Sequence, residues 1–157
     1  MRFETPFGPA WAAVDSNGAV TVFNFGDVGV AAGNGGGGNN PDVARQISEF
    51  FAGKRQAFDF ALAPKGSAFQ KRVWAELVKI PFGETISYGE LARRIGNPAA
   101  SRAVGRANAT NPIAVIVPCH RVIGTNGKLT GYAGGIDLKD KLLAWERAVA
   151  GAPAAGM

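Results

Sequence analysis

Apolar positions follow two regimes along the chain. Before about residue 63 they come as short runs between turn residues. Residues 10–14 and 20–25 flank Asp15-Ser16-Asn17-Gly18, the pattern of a β-hairpin, and residues 58–62 predict a further strand. One helix lies between them. Asn40 supplies its N-cap and Pro41 its first position, and the spacing carries it to about Ala52 with Val43, Ile47, Phe50 and Phe51 on the buried face. Residues 33–40 are almost pure Gly and Asn, a surface loop without core-forming content. The loop lacks the Gly-x-x-x-x-Gly-Lys-Ser/Thr pattern that cradles phosphate.

Beyond Pro64-Lys65-Gly66 the spacing turns helical. Ser67-Ala68-Phe69-Gln70 is a capping box opening a helix to about Ile80, with Phe69, Val73, Trp74 and Leu77 on one core-facing stripe. Pro81-Phe82-Gly83 stops it. Ser87-Tyr88-Gly89-Glu90 is a second capping box, opening a short helix to about Ile95. Asn97-Pro98 starts the next, which ends before Asn111-Pro112 because a residue preceding proline avoids helical geometry. A last helix begins near Asp137 and carries Leu138, Leu142, Leu143 and Trp145, and residues 149–157 form a frayed tail. The fold class is α+β: a small N-terminal unit over residues 1–63, then a mostly helical one over 64–157. The helix pair near 87–109 has helix-turn-helix spacing.

Composition narrows the class. The chain has 157 residues, 46% hydrophobic and 18% charged, enough to bury a core. An acid stands early in Met1-Arg2-Phe3-Glu4, no secretory apolar region follows, and no stretch approaches membrane-spanning length. A cytoplasmic protein with no membrane partner is expected. Residues 1–60 carry four Lys/Arg against six Asp/Glu, and residues 61–157 carry thirteen against six. The basic half predicts a polyanionic partner.

The only cysteine and the only histidine are adjacent, in Ile116-Val117-Pro118-Cys119-His120-Arg121-Val122. One Cys makes no intrachain disulfide, and one Cys with one His cannot fill a tetrahedral zinc site, so neither metal nor cofactor is expected. An imidazole and a guanidinium beside the thiol favour the thiolate; the alternative is a small buried core cysteine. Ahead of it, Arg102 and Arg106 share a face of a helix built mostly from small residues, whose N-terminal amides suit phosphate. Such an arginine can reach into a groove or fill the gap left by a displaced base; the alternative is a packing helix with two solvated arginines. Lys65, Lys71 and Arg72 fit phosphate contacts or a solvated helix face equally well.

Taken together, Pro118-Cys119-His120-Arg121, the preceding helix pair and Gly131-Tyr132-Ala133-Gly134-Gly135 closely resemble the O6-alkylguanine-DNA alkyltransferases, the methylated-DNA–protein-cysteine methyltransferases. The match runs from Phe69-Gln70-x-x-Val73-Trp74, through Pro81-x-Gly83-Glu84-Thr85-x-Ser87-Tyr88-Gly89-x-Leu91-Ala92, to Leu142-Leu143-x-x-Glu146. The first sixty residues fit loosely, chiefly through Thr5-Pro6-x-Gly8-Pro9.

The resemblance implies a ribonuclease H-like N-terminal unit and single-turnover alkyl transfer. Its substrate would be O6-alkylguanine in double-stranded DNA, with O4-alkylthymine a further candidate. Cys119 would be the acceptor, His120 its base through a bridging water, and Glu146 the carboxylate that holds the imidazole. The lesion would be flipped out of the duplex. Arg102 would occupy the vacated stack, with Ser101, Ala103 and Arg106 along the same minor-groove helix. Tyr88 would crowd the 3′ phosphate and offer its hydroxyl to guanine N3. The base pocket would comprise the carbonyls of Cys119 and Val122, Tyr132 as an apolar wall, the Ala133 amide facing O6, and Gly134. Asn111 would brace the turn before the active-site loop. A monomer that clusters on DNA is expected. Two alternatives stand beside this one: a non-catalytic protein that senses alkylguanine, and a thiol hydrolase. The adjacency of Cys and His is unusual for a hydrolase, whose partners come from distant segments.

Overall fold

The computed structural model describes residues 1–26, 40–124 and 135–151, which leaves Tyr132, Ala133, Gly134 and most of the Gly/Asn run outside the described residues. Strands β1 (Arg2–Thr5), β2 (Gly8–Val14) and β3 (Val20–Phe25) form an antiparallel sheet in that order. The predicted hairpin turn is held by Asp15, whose carboxylate accepts from the amides of Asn17 and Ala19. Strand β1 is an addition to the sequence reading. Its run is too short and too charged to announce a strand, and pairing of Phe3 with Ala10 supplies what periodicity does not.

The strand predicted over 58–62 is not present as such. Only Leu62 bridges to Val20. The backbone there is met instead by the buried Gln46 of α1 (Pro41–Phe51), which accepts from the Asp59 amide and donates to the Asp59 carboxylate. Helix α1 begins as predicted, with the Asn40 side chain accepting from the amides of Asp42 and Val43.

Helix α2 (Ala68–Leu77) carries both halves of its capping box and buries Val73, Trp74 and Leu77. At α3 (Tyr88–Arg94) only half the predicted box forms. Ser87 accepts from the Glu90 amide, while the Glu90 carboxylate turns to Arg93 and Arg94. The next helix, α4 (Ser101–Ala109), starts later than Asn97-Pro98 predicts. Asn97 lies in the closing turn of α3, where its amide donates to Ala92 O at 3.0 Å and that of Gly96 to Arg93 O at 3.0 Å, and its carbonyl accepts from the Ala100 amide in a separate turn before α4. Gly96 adopts φ +81° to make this Schellman ending.

Helix α5 (Ile136–Gly151) takes in residues 149–151, predicted as tail. Close packing holds them in register, since a Cβ added to Gly83 would lie 2.8 Å from Ala150 Cβ. Two further contacts set the chemistry in place. A short parallel pair, β4 (Ile86–Ser87) with β5 (Val122–Ile123), seats the start of α3 beside the Cys-His-Arg turn. On the outer edge of β3, Phe23 donates to Pro112 O and accepts from the Ala114 amide, both at 3.0 Å. Among the described residues no helix is long and apolar enough to cross a membrane.

Candidate active site

The segment leading to Cys119 is wound tightly. Asn111 accepts from the Ile113 amide at 2.9 Å and donates to the carbonyls of Val117 and Ile113 at 2.7 and 3.3 Å. Val115 has φ +66°, and the Ile116 amide donates to Ala114 O at 2.7 Å across it, a γ-turn that a β-branched residue adopts only when its surroundings impose it. The buried Asn108 of α4 donates to Cys119 O at 3.2 Å. Cys119, His120 and Arg121 then form a single 3-10 turn, all three buried.

That burial reverses one expectation. Desolvation pushes the Cys119 thiol up to about 11, against smaller downward pulls from the Asn111 side chain and the Lys139 charge. The resting group is therefore a thiol, not a thiolate. Arg121 does not serve it, because its guanidinium is engaged elsewhere. Nε and Nη2 each donate to Glu146 at 2.8 Å, and Nη1 donates to Ile80 O at 2.7 Å.

Glu146, at 0% exposure, gathers four partners. Oε2 lies 2.6 Å from His120 Nε2 and accepts from Arg121 Nη2; Oε1 accepts from Arg121 Nε and from the Gly83 amide at 3.2 Å. Gly83 has φ +83°, a conformation that brings its amide to the carboxylate and tolerates no Cβ beside α5. Burial raises the Glu146 pKa, but the bonds and charges of His120 and Arg121 outweigh it and hold the carboxyl at about 2. Burial also lowers the His120 pKa, against the pull of Glu146, so the imidazole rests neutral. His120 Nδ1, on the far side of the ring, is buried without a protein hydrogen-bond partner.

Tyr88 opens α3 next to this turn, its ring edge 3.9 Å from a Cβ built on Gly105 of α4. Lys139 of α5 lies buried between these elements. Its ammonium sits 5.8 Å from the Tyr88 ring centre, and it donates to Val122 O at 2.6 Å. Burial lowers its pKa to about 8. The structure thus brings Cys119, His120, Glu146, Tyr88, Val122 and Asn111 around one turn. Ser101, Arg102 and Arg106 are exposed on α4, with Ala103 half-buried between them. Tyr132, Ala133 and Gly134 lie outside the described residues. Sequence reasoning missed Asn108 and Lys139 as parts of the site, gave Gly83 no role, and set the Arg121 charge beside the thiol rather than on Glu146. Lys139 carries a faint signal, as a cation set among apolar neighbours; Asn108 carries none until the fold places it. Among the described residues no three His, Cys, Asp or Glu side chains gather to hold a metal.

Comparison with known proteins finds similar sequences and folds among methyltransferases acting on DNA. Residues 68–148 fit the family described as 6-O-methylguanine DNA methyltransferase, DNA binding domain. A methylated-DNA–protein-cysteine methyltransferase of Methanosarcina acetivorans is 52% identical over 148 residues, spanning 92% of this chain and 95% of the relative. Another from Mycolicibacterium paratuberculosis is 61% identical over 105 residues, 67% of this chain and 64% of that one. Among solved structures, Mycobacterium tuberculosis OGT in complex with DNA superposes with TM-score 0.83 at 44% identity, covering 98% of this chain and 94% of that one. With sequence and overall fold in agreement over nearly the whole length, the chain belongs to the 6-O-methylguanine DNA methyltransferase family.

Proposed function

We propose that this protein repairs DNA by moving the alkyl group of O6-alkylguanine in a duplex onto Cys119, once per molecule. The observation that carries the reading is the buried Glu146 carboxylate fixed on His120 Nε2, in the same turn that bears Cys119. The carboxylate fixes Nε2, and Nδ1 is the nitrogen left for a proton. A thiol with a pKa near 11 is a poor nucleophile at rest, so a base is required. In the proposed step the thiol proton passes through one water to His120 Nδ1. The sulfur pair attacks the alkyl carbon, the carbon–O6 bond breaks, and its electrons remain on guanine. Glu146 stabilises the imidazolium so formed. The Tyr88 hydroxyl donates toward guanine N3, which spreads the developing negative charge.

The duplex side of the reading rests on α3 and α4, taken as a helix-turn-helix over residues 87–109. Ser101, Arg102, Ala103 and Arg106 line the minor groove, and Arg102 fills the stack left by a flipped base. The carbonyls of Cys119 and Val122 would face the guanine exocyclic amine. The Cys119 carbonyl already accepts from Asn108 and from the Val122 amide, and the Val122 carbonyl accepts from Lys139, so both oxygens are held in place for the base. Tyr132, Ala133 and Gly134 complete the pocket in this reading. Residues 1–63 form a ribonuclease H-like unit and 64–157 the reactive one; the protein works as a cytoplasmic monomer that clusters on DNA.

Replacing Cys119 separates chemistry from binding. Cys119→Ala is expected to leave O6-methylguanine intact in duplex DNA while duplex affinity is retained, since the thiol is buried and no phosphate contact is lost. Demethylation by this variant would overturn the assignment.

A further inference from the structure

Arg121 stands in the same turn as the acceptor and its base, yet has no part in the transfer described above. Its guanidinium is buried, lies 5.5 Å over the Phe82 ring and grips both oxygens of Glu146, while its remaining amino group is tied to Ile80 O. With His120 and Gly83, each carboxylate oxygen receives two partners. A carboxylate with four donors has its acceptor sites filled, so it can neither rotate nor take a proton without losing a bond. Orienting an imidazole needs only one of those bonds. The bidentate cation is a second device.

We infer that Arg121 is a positioning residue for alkyl transfer: acting through Glu146, it locks the carboxylate that aims His120 and keeps His120 unprotonated as the base. This rests on the reading of His120 as base. The charged groups acting on the imidazole are Glu146 and Lys139 from α5 and Arg121 from its own turn. Glu146 favours the imidazolium; Arg121, Lys139 and burial oppose it. Removing the guanidinium would act in one direction twice. The imidazolium would lose a repelling neighbour, and Glu146 would have its charge to spend on His120 alone. His120 would then hold a proton at higher pH, where it cannot accept one from the thiol. A cation within a few ångströms shifts such an equilibrium by about one unit or more.

The experiment follows the second-order rate of Cys119 alkylation by O6-benzylguanine, a free-base probe that needs no duplex, between pH 5 and 9. The proteins compared are the wild type, Arg121→Gln, Arg121→Lys and His120→Asn. Folded fraction is measured on each sample, so that rates refer to folded protein. The inference expects the acid limb of the Arg121→Gln profile to move up by about one pH unit. The Arg121→Lys limb should fall between, since lysine restores the charge without the fork. Duplex affinity should stay at the wild-type level, because Arg121 is buried. A lower rate with an unmoved limb in both variants would make Arg121 merely structural and overturn the inference. Should Arg121→Gln fail to fold, Arg121→Lys decides: a shifted limb supports the inference, and a wild-type limb overturns it. His120→Asn tests the underlying reading separately. An acid limb that survives in that variant belongs to some other group, and the base assignment itself then fails.

Discussion

Trp145 and Glu146 are neighbours on α5, yet they face opposite kinds of interior. Trp145 packs edge-on against Phe7 and Phe82 at 5.7 and 5.8 Å and lies near-parallel to Phe51 at 6.0 Å, where rings from the N-terminal half meet the helical half. Glu146, one position on, is surrounded by four hydrogen-bond donors. The first side holds by area, which many ring shapes can supply. The second holds by directed bonds to a buried charge, which no other residue type reproduces. Cohesion and chemistry thus sit one residue apart, and substitutions should separate them.

The largest effect belongs to the polar side. Glu146→Gln removes the charge that stabilises the imidazolium, and the transfer rate per folded molecule should fall ~10²–10⁴-fold in single-turnover assays with O6-benzylguanine. The same substitution should alter acid sensitivity. The folded pKa of about 2 lies below the ordinary 4.5, so this carboxylate contributes stability that is fully present above pH 4.5 and lost as pH falls toward 2. About 2 kcal/mol of the acid-dependent loss should be missing in Glu146→Gln when denaturation is compared at pH 7 and pH 3. If rate and acid sensitivity are both unchanged, the polar side is only packing.

Trp145→Ala should do the reverse. The side chain is half-buried, so a cost of about 2–3 kcal/mol in denaturant unfolding is expected, with little change in rate per folded molecule. A rate loss comparable to that of Glu146→Gln would erase the distinction between the two sides.

How much of this was legible depends on where each signal lives. The hairpin, α1 and α2 carry their stops and caps locally: Asp15 in the turn, Asn40 and Ser67 at helix starts, and in each case the expected bond forms. The strand at 58–62 failed because its apolar run looks locally like a ladder, while Gln46, from another element, takes the backbone's place. The late start of α4 also lies beyond local pattern, since Asn97 is drawn into the closing turn of α3 and its carbonyl accepts from Ala100 in a turn ahead of the next helix. At the site, adjacency singled out Cys119 and His120, and the family pattern singled out Glu146. The protonation state went wrong because neighbouring residue types do not report burial. Arg121 lies two positions from the thiol in sequence but turns its charge to Glu146. Phe51, Phe82 and Trp145 were visible as apolar residues, but their grouping beside α5 is a property of the fold alone.

Everything proposed for this site turns on covalent transfer to the buried Cys119 thiol. It is tested most directly by intact-protein mass measurement after incubation with duplex DNA carrying O6-methylguanine, followed by peptide mapping. The expected result is a one-to-one gain of about 14 Da confined to the peptide holding Cys119. An unchanged protein mass while the lesion disappears from the DNA, or a gain mapped to another residue, would contradict it.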